Sequence, residues 1–385
     1  MTDHTQHGFG TKAIHAGQEP DPTTGAIMTP IYQTSTYVQE SPGKNKGYGY
    51  ARGKNPTRVA LENCLAALEG AQYGLCFSSG MGAMDAVIKL LRPGDEVITG
   101  DDLYGGSYRM FTKIFAHYGI KFHFINLSNA ENIRKHTNAN TKLIWVETPT
   151  NPTMQIVDLA ACSAIAKEKK ILFAVDNTFA SPYLQNPLAL GADIVMHSVT
   201  KYLGGHSDVV MGALVMNSKE LYDQLYFILN SCGANPGPMD CFLVLRGVKT
   251  LHVRMDRHCY NGKRIAEFLK THPRIEKIYW PGFEDHPNHS IAKKQMKDFG
   301  GMISIVLKGS NLEDTFRIAS SLKVFSLAES LGGVESLINH PATMTHASIP
   351  KEERDRVGVV DNLLRLSVGI EDVEDLLADL KQALN

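Results

Sequence analysis

Three apolar runs constrain this chain more than anything else in it: KLIWVE at 142–147, ILFAVD at 171–176 and ADIVMHS at 192–198. None alternates polar with apolar, as a strand with one wet face must, and each stops on a polar residue. Helical stretches such as DLAACSAIAKEKK (158–170) lie between such runs. Unbroken apolar segments separated by helices describe strands buried on both faces of a mainly parallel sheet, so the expected class is α/β. YGLCFSSG before MGAMDAVIKLL, and DEVITG before GSYRMFTKIFAHYG, extend the same rhythm. NPTRVALENCLAALEG reads as a helix that starts at Pro56, turns Val59, Leu61, Leu65 and Leu68 broadly to one side, and closes on Gly70.

At 385 residues the chain exceeds one ordinary core, and two domains are expected. Residues 1–55 read as an extended arm, because Pro20, Pro22, Pro30 and Pro42 interrupt helices there. A large domain over 56–250 and a smaller C-terminal α/β domain over 251–385 follow. A long helical region from about 218 to 270 precedes RIEKIYW, GGMISIVLKG and DNLLRLSVGI. MISIVL alternates more than the earlier runs, which predicts a second sheet with one covered face, packed by the final helix VEDLLADLKQAL.

Several classes of function are disfavoured. Lys and Arg number 39 against 40 acids, so bulk charge attracts neither nucleic acid nor an anionic membrane. No apolar run approaches the roughly 18 residues of a membrane span, and the start lacks a basic-then-apolar leader, so a cytoplasmic protein is expected. The six cysteines form no CxxC pair and fit free thiols in a reducing compartment. HPNHS, with His286 and His289, reads as a surface turn, and no metal site is expected.

In a parallel sheet, ligands gather beyond the carboxyl ends of the strands. Asp176 ends one run; Glu147 ends another and leads into TPTNP with Asn151; Ser198 ends a third, three residues before Lys201 in HSVTKYLGGHSD. Burying an ammonium group is costly, so Lys201 calls for a reason. SSGMGAMD places Gly80 and Gly82 where a strand turns into a helix, a site at which backbone N–H groups hold an anion such as phosphate. A dinucleotide fingerprint is the rival reading, but Asp85 stands where its third glycine belongs. A phosphate cradle, a strand-end acid and an amine are together what pyridoxal 5'-phosphate (PLP) needs for its phosphate, its ring nitrogen and its aldehyde.

The motifs YARGKNPTR, DDLYGG, ETPTNP, VDNTFASP, HSVTKYLGGHSD and AESLGGVESL occur in that order, and through them the chain resembles the cystathionine γ-synthase and γ-lyase family over nearly its whole length. The resemblance implies the fold-type I, aspartate-aminotransferase-like architecture of PLP-dependent transferases. It makes Lys201 the Schiff-base lysine, Asp176 the partner of the ring nitrogen, and Ser198, Thr200 and the backbone of Gly80 and Met81 the phosphate site. Tyr104 would stack on the ring and donate a proton to the leaving group, with Asn151 and Thr178 close by. Arg365 would grip the substrate carboxylate beside Ser330 and Asn151, while Glu329 and Arg109 would face the rest of an amino-acid substrate. Tyr50 and Arg52 would cross to a neighbouring subunit's phosphate, which implies an obligate dimer, doubled to a tetramer of shared sites. The expected reaction is γ-elimination on L-cystathionine, with γ-replacement on an O-acylhomoserine as the alternative and a nicotinamide oxidoreductase as the reading from another class. Gly105, Gly106 and Ser107 after the tyrosine argue against a methionine γ-lyase, and Glu329 argues against a β-lyase, where the family tends to carry an aromatic. Gly49 departs from the acid many γ-acting relatives hold before the residue matching Tyr50.

Overall fold

The computed structural model describes residues 6–385. Its larger sheet contains β1 (Tyr73–Phe77), β2 (Glu96–Gly100), β3 (Lys121–Ile125), β4 (Thr141–Glu147), β5 (Leu172–Asp176), β6 (Ile194–Ser198) and β7 (Gly212–Met216), in the order β1-β7-β6-β5-β4-β2-β3. Only β7 runs against its neighbours. The unbroken apolar runs have the expected cause. Ile144, Val146, Val175 and Val195 enter one core, while Leu143, Trp145, Ala174, Ile194 and Met196 enter another on the opposite face. Each such Val, Leu, Ile or Met side chain contributes about 1.5–3 kcal/mol relative to an exposed one.

The smaller sheet holds β8 (Ile275–Tyr279), β9 (Met302–Leu307), β10 (Ser326–Leu327), β11 (Leu337–Asn339) and β12 (Leu363–Ser367), in the order β10-β11-β12-β9-β8. It is antiparallel except at β10/β11. The expectation of a single covered face fails here, because all six residues of β9 are buried. Ile303, Ile305 and Leu307 pack into this sheet's own core. Met302 joins the core of the large sheet, and Ser304 Oγ donates to Pro152 O at 2.7 Å. The alternation is genuine; its second face meets protein rather than water.

The helix Pro56–Glu69 starts as expected, with the Asn55 side chain accepting from Thr57 N and Arg58 N, and it stops at Gly70. Leu61, Leu65 and Leu68 are buried, and Val59 is half-buried. Three other expectations need correction. The arm contains a helix, Phe9–His15, whose Ala13 is fully buried, because its prolines begin only at residue 20; residues 1–5 of the arm lie outside the described ones. The stretch after Tyr104 is helical only over Gly105–Lys113, after which a 3-10 turn takes over at Phe115–Tyr118. The region 218–270 is three helices, Lys219–Cys232, Pro238–Val248 and Leu251–Lys270, interrupted around Gly233–Gly237 and at Lys249–Thr250. The last of these serves two cores, burying Leu251, Met255 and Cys259 with the large sheet and Ile265, Ala266 and Leu269 with the small one. Among the described residues no helix is long and apolar enough to cross a membrane.

Candidate active site

The carboxyl ends of β4, β5 and β6 form the floor. Glu147 and Asp176 are direct register partners, so both acids stand on the same face of adjacent strands. Thr178 brackets Asp176, donating to Oδ1 from its N (3.0 Å) and its Oγ1 (2.5 Å), while that same Oγ1 accepts from Ser198 N at 2.8 Å. Glu147 accepts from Tyr104 N (3.2 Å) and Asn151 N (2.9 Å), and so ties the tyrosine loop to the TPTNP loop. Burial pushes Glu147 well up from the carboxylate range, helped by the charge on Asp176. Asp176 is also raised by burial, with Thr178's hydrogen bonds opposing. Two buried acids side by side invite a cation.

Lys201 sits on the turn that follows β6, its N donating to Ser198 O at 3.1 Å. Nζ donates to Ser330 Oγ at 2.7 Å. Ser330 adopts φ 87°, a left-handed backbone uncommon for a side chain of its kind. Burial above all, and the nearby Arg365 guanidinium, push Lys201 down to about 8, with Glu329 opposing. At pH 8 about half of such a lysine is neutral, against roughly 0.3% for one titrating at its ordinary value. The rate at which cofactor-stripped protein bonds PLP is therefore expected to rise with pH and level off with a midpoint near 8. A midpoint near the ordinary 10.5, followed by absorbance, contradicts this.

Arg365 arrives from the other sheet. Asn339, Arg365 and Ser304 are register neighbours on β11, β12 and β9, so all three stand on the face turned to the large sheet. Leu364 and Leu366 enter the small sheet's core instead. Arg365 is 2% exposed; Nη1 donates to Asn151 Oδ1 at 2.7 Å and Nη2 to Ser330 O at 2.9 Å, and Nε is buried without a partner. Burial holds it down at about 10. Ser304 and Asn339 were not singled out from the sequence; their signal was a polar residue at the alternate positions of an apolar strand.

The helix Gly80–Ile88 begins behind Ser79, whose Oγ accepts from Gly82 N at 2.9 Å. The first-turn N–H groups of Gly80 and Met81 have no acceptor within the helix. A Cβ on Gly80 would stand 3.0 Å from Ser198 Cβ, so the cradle requires glycine where the β6 end passes. The single hydroxyl hydrogen of Thr200 goes to Met211 O at 3.2 Å, and its oxygen accepts from Met211 N at 2.9 Å. To donate to a phosphate this hydroxyl has to rotate.

Tyr104 lies at the mouth with 38% of its surface exposed, yet burial still raises its hydroxyl's pKa. A side chain at Gly106 would overlap the Tyr104 ring, which explains the second glycine of LYGG. Glu329 is close enough to act electrostatically on both Tyr104 and Lys201. Arg109 reaches toward Ser348 Oγ at 3.5 Å and acts on Tyr104 electrostatically. Buried Asp102, not singled out from the sequence, accepts from the hydroxyls of Thr150 and Thr153 and so pins the loop around Asn151.

Tyr50 and Arg52 are not gathered with the rest. They sit on a surface turn, Arg52 stacked 5.6 Å over the Tyr50 ring, in a groove shared with Tyr226 and Asn230. His286 and His289 each direct a ring nitrogen to a backbone carbonyl, of Met154 and Pro281 respectively. Among the described residues there is no group of three or more His, Cys, Asp or Glu that could hold a metal ion.

These residues fit PLP. The helix start suits its phosphate, Asp176 has both Thr178 bonds on one oxygen and so keeps the other for a ring N–H, and Lys201 is a half-buried amine partly neutral near pH 8.

Comparison with known proteins bears on the same point. The family described as Cys/Met metabolism PLP-dependent enzyme matches residues 10–385. A cystathionine beta-lyase of Coxiella burnetii is 54% identical over 97% of both chains, and a cystathionine gamma-lyase of Dictyostelium discoideum is 51% identical over the full length of both. A cystathionine gamma-lyase of Bacillus subtilis is 51% identical over 97% of this chain and 98% of its own. Among solved structures, metB from Corynebacterium glutamicum superposes with a TM-score of 0.97 at 50% identity, covering 100% of this chain and 99% of that one. The cystathionine gamma-lyase from Lactobacillus plantarum complexed with L-serine gives 0.95 at 44%, covering 98% of each. The fold-type I architecture implied by the sequence motifs is thus the one present. With its half-buried lysine, its strand-end acids and a family match running almost end to end, the chain belongs to the Cys/Met metabolism PLP-dependent enzymes, and PLP is its cofactor.

Proposed function

We propose that this enzyme, a carbon–sulfur lyase, catalyses γ-elimination of L-cystathionine, which with water gives L-cysteine, 2-oxobutanoate and ammonia. PLP, when bound, withdraws electrons from the substrate's α-carbon and so lowers the cost of removing its protons. Lys201 Nζ takes the α-proton, held in place by Ser330 Oγ and made available in neutral form by burial and Arg365. Asp176 keeps the ring nitrogen protonated, and Thr178 fixes the carboxylate's orientation. The Gly80 and Met81 N–H groups, Ser198 and Thr200 hold the phosphate. Arg365 and Asn151 bind the α-carboxylate, a task for which a planar guanidinium is better shaped than an ammonium. The Tyr104 hydroxyl gives its proton to the departing sulfur. Burial raises that hydroxyl further above its ordinary range, the direction that keeps it a proton donor.

The observation that supports the γ assignment is Glu329, an acid near Tyr104 and Lys201 at the position where the family's β-lyases tend to carry a bulky aromatic. Relatives of nearly equal identity carry β- and γ-lyase names, so the names do not decide it. Assaying the products from L-cystathionine does. 2-Oxobutanoate is expected in large excess over pyruvate. Predominant pyruvate with homocysteine, or faster cystathionine formation from an O-acylhomoserine plus cysteine, overturns the assignment.

Tyr50 and Arg52 complete the phosphate site of a neighbouring subunit in this reading, in a dimer that pairs into a tetramer. The exposed turn supports this, since Arg52 stacks on Tyr50 in a surface groove shared with Tyr226 and Asn230. Mixing inactive Lys201→Ala and Arg52→Ala chains under exchange conditions should then restore about one quarter of wild-type activity, because half the sites in a hybrid dimer are intact. No recovery in verified hybrids contradicts the shared site.

A further inference from the structure

Something has to hold the turn that carries Tyr50 and Arg52, because its glycines at 47, 49 and 53 impose little shape of their own. Arg58 lies beneath it, 2% exposed, in the first turn of the helix Pro56–Glu69. Its Nη1 donates to Ala51 O at 3.2 Å, and its Nη2 donates to Arg52 O at 3.3 Å and to Gly53 O. One guanidinium thus collects three successive carbonyls. Its Nε makes no hydrogen bond but lies 3.3 Å from Glu62 Oε1 as an ion pair, and that oxygen accepts from Cys76 N at 3.0 Å, which ties the guanidinium to β1. Above it, Tyr50 is 52% exposed and Arg52 is also exposed.

A helix-start role does not explain this residue. The start is already closed by the Asn55 side chain and by Pro56, and burying a guanidinium is costly unless its donors are used. Here the Nη donors go to the turn. Gathering the carbonyls inward commits the backbone to one shape before any ligand arrives, and pre-ordering of this kind lowers the cost of binding.

We propose that Arg58 is a positioning residue that fixes the 50–53 backbone so that Tyr50 and Arg52 are preorganised to grip the phosphate of the cofactor in the neighbouring subunit. The inference rests on the shared-site reading above. A lysine cannot reproduce the contacts, since a single ammonium does not span three carbonyls and Glu62 with fixed geometry.

The test measures retention of PLP, and of pyridoxal, which lacks the phosphate, in the full-length enzyme and in its Arg58→Lys, Arg52→Ala and doubly substituted forms. Arg58→Lys is expected to weaken PLP binding about tenfold, to leave pyridoxal binding unchanged, and to have a smaller effect in the Arg52→Ala background, where only Tyr50 remains to be positioned. Unchanged PLP binding, equal weakening of both ligands, or additive effects overturn the proposal. Should Arg52→Ala itself leave PLP binding intact, the shared-site reading fails, and Arg58 with it; weakening by Arg52→Ala without weakening by Arg58→Lys sinks the Arg58 proposal alone. If Arg58→Lys does not fold, Glu62→Leu decides, since it removes the oxygen that faces Nε and keeps the fork: selective loss of PLP supports the proposal and none refutes it.

Discussion

Lys201→Ala is expected to reduce kcat by about 10⁴-fold or more while leaving the fold intact, because the proposed mechanism has one amine both join the cofactor and move the substrate's α-proton. Removal costs little stability. The side chain's hydrogen bond is to Ser330 Oγ, at a cleft where water can replace it, and burying an ammonium is itself unfavourable. The melting temperature of the cofactor-free variant should stay within a few degrees of the cofactor-free parent. Lys201→Arg should be as inactive, since a guanidinium stays charged at working pH. A residual rate above about one hundredth of wild type in either variant would give the proton transfer to another group.

The second large effect belongs to Arg365. Arg365→Ala should lower kcat/KM about 10³-fold, chiefly through KM, because the fork proposed to meet the carboxylate is lost. Stability falls as well. Asn151 Oδ1 and Ser330 O are left without their buried donor, at about 1–3 kcal/mol each. Lys201 responds too. Arg365 is the second cause, after burial, of its lowered pKa, so removing that charge should move the midpoint for PLP bonding upward from about 8. Arg365→Lys should restore much of that midpoint but little of the KM, as an ammonium supplies charge without the fork. Equal KM in the parent and Arg365→Ala would remove the residue from carboxylate binding.

What was legible beforehand follows the physics of burial and distance. KLIWVE, ILFAVD and ADIVMHS were readable because strands covered on two faces leave no polar positions to blur the pattern, and their polar last residues marked the floor of the site. Asp176, Ser198 and Lys201 lie within 26 residues of one another, and local spacing sufficed to group them. Arg365 is different. LLRLS shows an arginine among leucines, but its partner Asn151 is 214 residues away, and only the family motifs connected the two beforehand. A separation of 152 residues likewise hid the second face of β9, whose Ser304 meets Pro152 across the cleft. Arg58 was masked by its position inside an apparently routine helix start. Tyr50 and Arg52 were named from the motifs, yet one chain alone leaves them at its surface.

The central claim is that one amine, on the turn after β6, carries the cofactor. Reducing the holoenzyme with borohydride, digesting it and locating the pyridoxyl group by mass spectrometry tests this directly. The adduct is expected on the peptide containing Lys201, with loss of the visible band and of activity in step. Finding it on a different lysine, or finding none in an active preparation, contradicts the account.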